Sequence, residues 1–344
     1  MKLINHQNLG LYISSAATSG TLSPVVLNGV QSVDISAGVS MEPVRGLGSI
    51  GRKLVQNEFS PINLSASYFV TNFNNESLLG FNFGASTIWA QNFMNLSADN
   101  KNFYLLVSDG SFDLVNASPA NTKSLAFGSC SITQYALNVE VGQPLLANFS
   151  YECLNLVGQP NSSGINPAIN FGLDRRASNG WGVTDFSQPN SPVIRSYNIT
   201  VTFTNNVTGQ TYAELAAQNF SISLDLQRQP RKLWGRKYPK DRLITLPSEV
   251  AISVEIIAPA SPVSTTIFDT LANDISSSWC DTSNWTMNIN MIAGCGEGSG
   301  AIIWSLSGLS LESQDFSGGI NDRSSATLNW TGDLSKISSP RLSG

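Results

Sequence analysis

The chain has 344 residues, 41% of them hydrophobic and only 12% charged; that length supports two ordinary domains, and the apolar content excludes wholesale disorder. Lys and Arg number 19 against 24 Asp and Glu, a formal charge of -5, which excludes a general nucleic-acid binder. The first seven residues lack the apolar core of a signal peptide, and no apolar run approaches the roughly 18 residues of a membrane helix, so no membrane partner is expected.

In chain order, a short apolar run over Leu9–Ile13 comes first, and Asn28-Gly29 is a turn dipeptide. Val33, Ile35, Ala37 and Val39 then alternate with Ser32, Asp34, Ser36 and Ser40, the period of a strand. A long excursion containing Pro43 follows, and alternation returns at Ile62, Leu64, Ala66 and Tyr68. Residues 71–98 shift to a pattern that fits a short amphipathic helix, and 103–107 is a short apolar strand. Residues 130–156 read as a hairpin turning at Gly142-Gln143-Pro144. Gly, Pro, Asn and Ser then dominate up to Pro192, the best boundary in the chain. Tyr197–Phe203 is a strand, and 211–217 offers a brief helical turn.

The strand, long loop and returning strand now recur. Phe220, Ile222, Leu224 and Leu226 alternate with polar residues including Ser221, Ser223 and Asp225. A second excursion carries Pro230, Arg231, Lys232, Trp234, Arg236, Lys237, Lys240 and Arg242, and alternation resumes at Val250, Ile252, Val254 and Ile256. Pro43 and Pro230 hold the same place in the two loops. Ile267, Leu271 and Ile275 sit at helical spacing, the clearest helix in the sequence. Trp285–Met291 is a strand, and 302–311 with 325–334 closes a final hairpin. These elements predict a mainly β chain with domains at 1–158 and 196–344 and a linker over 159–195.

Catalytic and cofactor signals are weak. Gly46-Leu47-Gly48-Ser49-Ile50-Gly51 matches a dinucleotide fingerprint, but Pro61 and a strand follow it where a helix is needed, so no cofactor is expected. A single histidine, His6, disfavours a His-based triad or a zinc site, and no metal or enzymatic activity is expected. Cys130, Cys153, Cys280 and Cys295 show no C-x-x-C spacing and, without an export signal, are expected as thiols. The basic loop with Trp234 and Tyr238 admits a solvated loop, a nucleic-acid contact, or docking on another subunit with Trp234 as anchor. Trp89, Trp181, Trp279, Trp285 and Trp330 are expected in core or interface packing, with a carbohydrate- or receptor-binding β-sandwich as the alternative they leave open.

The two strand–loop–strand stretches, 33–70 and 220–256, with the 132–151 hairpin and the 267–275 helix, resemble the tail tube proteins of long-tailed bacteriophages. The resemblance implies two tandem β-sandwich or half-barrel domains, each with a long inter-strand loop and a short flanking helix. It implies a virion tail protein, assembled in the host cytoplasm, whose rings stack around passing DNA. A chain with two such domains would close a pseudo-sixfold ring from three copies. The implied partners are other copies and further tail proteins (tape measure, terminator, distal tail), and a hub or distal ring protein of the same fold is the related alternative. Pro43, Arg45, Arg52 and Lys53 of the first loop and the second loop's residues would contact neighbouring subunits. Ser32, Asp34, Ser36, Ser221, Ser223 and Asp225 would face the lumen.

Overall fold

Period-two alternation becomes strands almost throughout. The computed structural model describes residues 9–16, 24–38, 42–44, 53–55, 61–83, 87–94, 100–108, 114, 121–159, 167–170, 175–176, 192–206, 209, 211–212, 217–235, 238–245, 248–257, 285–292, 301–317 and 325–342. The expected 267–275 helix, the 46–51 glycine motif, His6, Cys280, Cys295, Trp181 and Trp279 lie outside those residues.

A first group comprises β1 (Leu9–Ser15), β2 (Val25–Val26), β3 (Val30–Ala37), β4 (Glu42–Val44), β5 (Lys53–Val55), β6 (Ile62–Phe69), α1 (Asn74–Leu79), α2 (Gln91–Met94), β7 (Lys101–Ser108), β8 (Thr122–Glu140), β9 (Leu146–Cys153) and β10 (Asn155–Gln159). A small hairpin of β11 (Ile169–Asn170) and β12 (Arg175–Arg176) follows. The second group is β13 (Ile199–Asn205), β14 (Thr211–Tyr212), β15 (Ala217–Asp225), β16 (Arg228–Arg231), β17 (Asp241–Ile244), β18 (Glu249–Ile257), β19 (Trp285–Ile292), β20 (Ala301–Ser317), β21 (Ser325–Asp333) and β22 (Arg341–Leu342).

Both groups use the same strand order. β3, β6, β9 and β8 lie side by side, as do β15, β18, β21 and β20, every pair antiparallel. β15 also pairs with the C-terminal part of β8, so the two quartets form one continuous eight-stranded sheet. Behind it stand β2–β1–β7 with the N-terminal part of β8 and β10, and β14–β13–β19 with the N-terminal part of β20 and β22.

The irregularities recur as well. Register shifts fall between Val30 and Ser32 in one group and between Ala217 and Asn219 in the other. The hairpins shift between Ile132 and Gln134 and between Leu311 and Ser313. A shift of one residue sends every later side chain to the opposite face, so equal placement keeps the two patterns in phase. β8 and β20 each pass from one layer to the other through a left-handed residue, Ser129 at φ 52 and Gly308 at φ 70.

One core runs through both groups. Phe103 packs on Phe149 and Tyr151, while Phe203 stacks on Trp330 with centroids 4.7 Å apart. Trp89, in the turn just before α2 of the first group, meets Trp304 of the second at 4.8 Å and stacks on Phe81. The Trp89 backbone N–H donates to the Ile337 carbonyl, and the Trp304 indole Nε1 donates to the Ser338 carbonyl.

The core removes one alternative, and two expectations need correction. Trp89, Trp285 and Trp330 are buried core residues, at 0%, 4% and 1% exposure, and offer no surface for sugar stacking. Cys130 and Cys153 are joined as a disulfide: their neighbours Ser131 and Glu152 face each other across the β8–β9 hairpin, which brings distant cysteines together without any local spacing signal. Thr211–Tyr212 is a strand paired with β13 where a helical turn was expected; Thr211 stands opposite Thr204 and their hydroxyls share a hydrogen bond of 3.2 Å.

Candidate assembly surface

The outward face of the eight-stranded sheet is polar. Asp34, Ser65, Ser150, Gln134 and Asp225 are successive cross-strand neighbours from β3 to β15. Ser32, Ser67, Asn148, Ala136, Ser223, Ala251, Thr331 and Ser310 form a second row spanning all eight strands. Ser32 and Ser67 share a hydroxyl–hydroxyl hydrogen bond of 2.7 Å. The residues between these rows point into the core, with Leu64, Tyr135, Ile222, Leu224 and Ile252 all buried. No Lys or Arg occurs in β3, β6, β9, β15, β18, β21 or residues 131–140 and 309–317, whereas Asp34, Glu140, Glu152, Asp225, Glu249, Glu255, Glu312, Asp315 and Asp333 do. The strands of this face thus offer a phosphate polymer hydroxyls and carboxylates and no cation of their own; Arg242 of the second loop reaches the face at Glu152, where it is buried and paired.

The structure brings Ser32, Asp34, Ser36, Ser221, Ser223 and Asp225 to this one face, with Ser221 half-buried and the others exposed. Their strands, β3 and β15, lie at different places in the sheet: β15 is central, clamped between β18 and β8, whereas β3 pairs with β6 alone among the described residues.

Both long loops fold into hairpins. Pro43 lies in β4 and Lys53 in β5, with Pro43 opposite Leu54; Arg45 and Arg52 fall outside the described residues. In the second loop Pro230 stands opposite Arg242. Arg231 pairs with Asp241, and the Lys240 N–H donates to the Arg231 carbonyl. Lys232 and Trp234 lie at the tip, where Trp234 is fully exposed; Arg236 and Lys237 are outside the described residues.

The basic run is therefore split between two jobs. Its base clasps the first strand group: Arg228 Nε donates to the Ile132 carbonyl at 2.6 Å, and the Leu226 N–H donates to the Thr133 carbonyl. Arg242 donates through Nη1 to the Glu152 carbonyl at 2.6 Å and pairs through Nη2 with Glu152 Oε1 at 3.1 Å. Burial lowers the Arg242 pKa to about 10, with Glu152 acting against the shift, so the guanidinium stays charged at neutral pH. Sequence reasoning missed Glu152; it alternates with Tyr151 and Cys153 like any strand residue, and nothing local marks it as a receiver.

Glu76 was also missed. It is 1% exposed and its Oε1 accepts hydrogen bonds from the Tyr68 and Tyr135 hydroxyls at 2.8 and 3.0 Å. Burial raises its pKa despite those two donors, and burial likewise raises both tyrosines. Among the described residues, no group of three or more His, Cys, Asp or Glu side chains is placed to hold a metal.

No protein-family model matches the sequence, and no curated sequence matches it significantly. Among solved structures, the chain is similar to a protein in the tail of an empty GTA particle refined with C6 symmetry: 10% identity, a TM-score of 0.28, 44% of this chain and 98% of that one. A chain of the sixfold-symmetrised baseplate of the anti-feeding prophage matches at 17% identity and a TM-score of 0.29, over 46% of this chain and 97% of its own. A chain of the native gene transfer agent virion matches at 12% identity and a TM-score of 0.25, over 44% of this chain and 98% of its own.

Proposed function

We propose that the chain is a structural subunit of a virion tail, a tube protein whose copies join into stacked rings around passing DNA. One observation carries this reading: two strand quartets of identical order, joined edge to edge by β8 and β15, present a single face whose strands carry no Lys or Arg. Joining quartets edge to edge is how a sheet grows into a barrel, and closure removes the exposed edges that invite indiscriminate pairing. In this reading residues 1–158 and 196–344 are two tube-type domains separated by 159–195, and three chains supply a pseudo-sixfold ring. Head-to-tail stacking of such rings gives a filament. The exposed Trp234 tip suits a contact with a neighbouring ring or another tail protein.

Negative-stain images of the purified protein at high concentration test the reading; hollow rings or tubes are expected, and a protein that stays monomeric at every concentration overturns it. The polar face further predicts no tight duplex DNA binding at physiological salt, and nanomolar affinity there would contradict a sliding wall.

A further inference from the structure

The eight-stranded sheet ends at two edges that carry no further strand among the described residues: the outer edge of β3, and that of residues 311–317 of β20. β3 contains no Lys, Pro or inward charge, the devices that normally guard an edge, and Ile35 on its core side is 37% exposed. Its counterpart Ile222 in β15 is fully buried, because β8 covers it.

We propose that these two edges form the seam between copies: β3 of one chain pairs antiparallel with the 311–317 part of β20 of the next, in the register already realised between β15 and β8. The proposal rests on the ring-subunit reading and adds its residue-level partner. The shared register shifts tie β3 to β15, and the shared shifts and left-handed residues tie β20 to β8. Within the chain, Ser223 faces Ala136, Ile222 faces Leu137 and Ser221 faces Asn138. Carried across, Ser36 faces Asp315, Ile35 faces Phe316 and Asp34 faces Ser317 of the neighbouring copy. The occupant is a second copy because each free edge has a counterpart that, inside this chain, is bound to the counterpart of the other.

The seam between chains differs chemically from the seam within. In hairpin register, the position equivalent to Arg242 is Leu54, since both oppose the matched prolines. The position equivalent to Glu152 is Thr331: Glu152 faces Ser131 just before the hairpin's register shift, and Thr331 faces Ser310. Both members of the ion pair are thus replaced together, which leaves no buried charge unpaired. The ring would alternate seams bridged by a buried ion pair, inside chains, with seams that lack one, between chains, giving threefold symmetry.

The test is a cysteine pair. Assembled S36C/D315C protein, oxidised and run without reductant, is expected to give a covalent ladder ending at three chains. The single variants and S36C/Q314C, one position out of register, are expected to give none. Rings without that ladder, or with equal cross-linking of S36C/Q314C, overturn the seam while leaving the tube reading intact; absence of rings from the unmodified protein overturns both. Amide exchange on the unmodified protein provides the check if a variant fails to fold. Peptides covering β3 and residues 311–317 are expected to exchange at least about tenfold more slowly in rings than in dissociated chains; equal exchange overturns the seam.

Discussion

The Arg242–Glu152 pair holds the second loop to the first strand group, and its two members should respond unequally to truncation. The Arg242 side chain is 4% exposed and that of Glu152 is 21% exposed. Glu152→Ala strands a buried guanidinium that keeps only its bond to the residue 152 carbonyl. Breaking a buried pair by removing one partner costs about 3–5 kcal/mol; the retained carbonyl bond brings the expected loss to about 2–3 kcal/mol, since a charged hydrogen bond contributes roughly 1.5–3. Arg242→Met leaves the carboxylate, which can regain water, and keeps an apolar stem in the arginine's place, so the expected loss is about 1 kcal/mol. Adding Arg242→Met to Glu152→Ala should recover part of the first loss, because the stranded cation goes with it. Urea denaturation of the three variants at neutral pH, read at constant slope, measures all of this. A Glu152→Ala loss no larger than that of Arg242→Met would refute the assignment of Arg242 as the buried, dependent partner.

Glu76 predicts a pH effect with a definite sign. Its carboxyl is raised from 4.5 in the folded chain, so the folded state holds a proton that the unfolded chain releases as pH climbs past that value. Stability from this group is therefore greatest below the unfolded pKa and declines as pH rises toward the folded one. Glu76→Gln keeps an acceptor for Tyr68 and Tyr135, and should gain stability against the native protein at pH 7 relative to pH 4; melting curves at both values check this, and an equal change at both contradicts it. Gly128→Ala would place a Cβ 1.9 Å from the Pro167 carbonyl oxygen, which already accepts from Asn155 Nδ2, and should cost about 2–4 kcal/mol in urea unfolding. Replacing Cys130 and Cys153, which are 23 positions apart in sequence, by Ala should lower stability by about 3 kcal/mol, measured against the oxidised protein.

Strands were legible wherever polar and apolar residues alternate: β6, β15, β18, β19 and both hairpins fall where the pattern places them. Periodicity reports which face a residue occupies and says little about neighbours. Hence β8 was read from residue 130 onward, although it begins at Thr122, because the Gly128–Cys130 bend interrupts one alternation and starts another. The disulfide was invisible for the same reason, since only the pairing of β8 with β9 brings Cys130 to Cys153. The basic loop was found by its charge density, but burial of Arg242 against Glu152 depends on a strand some ninety positions away. Recurrence of the two loops was readable from Pro43 and Pro230; the joining of β8 to β15, on which the functional reading stands, leaves no local mark in either strand.

Averaged end-on images of assembled particles bear most directly on that joining. They should show a closed ring of three chains, each occupying two adjacent near-equivalent positions, with the polar strand face lining the opening. Six chains per ring, or a ring whose β3 edge lies against something other than β20, would contradict it.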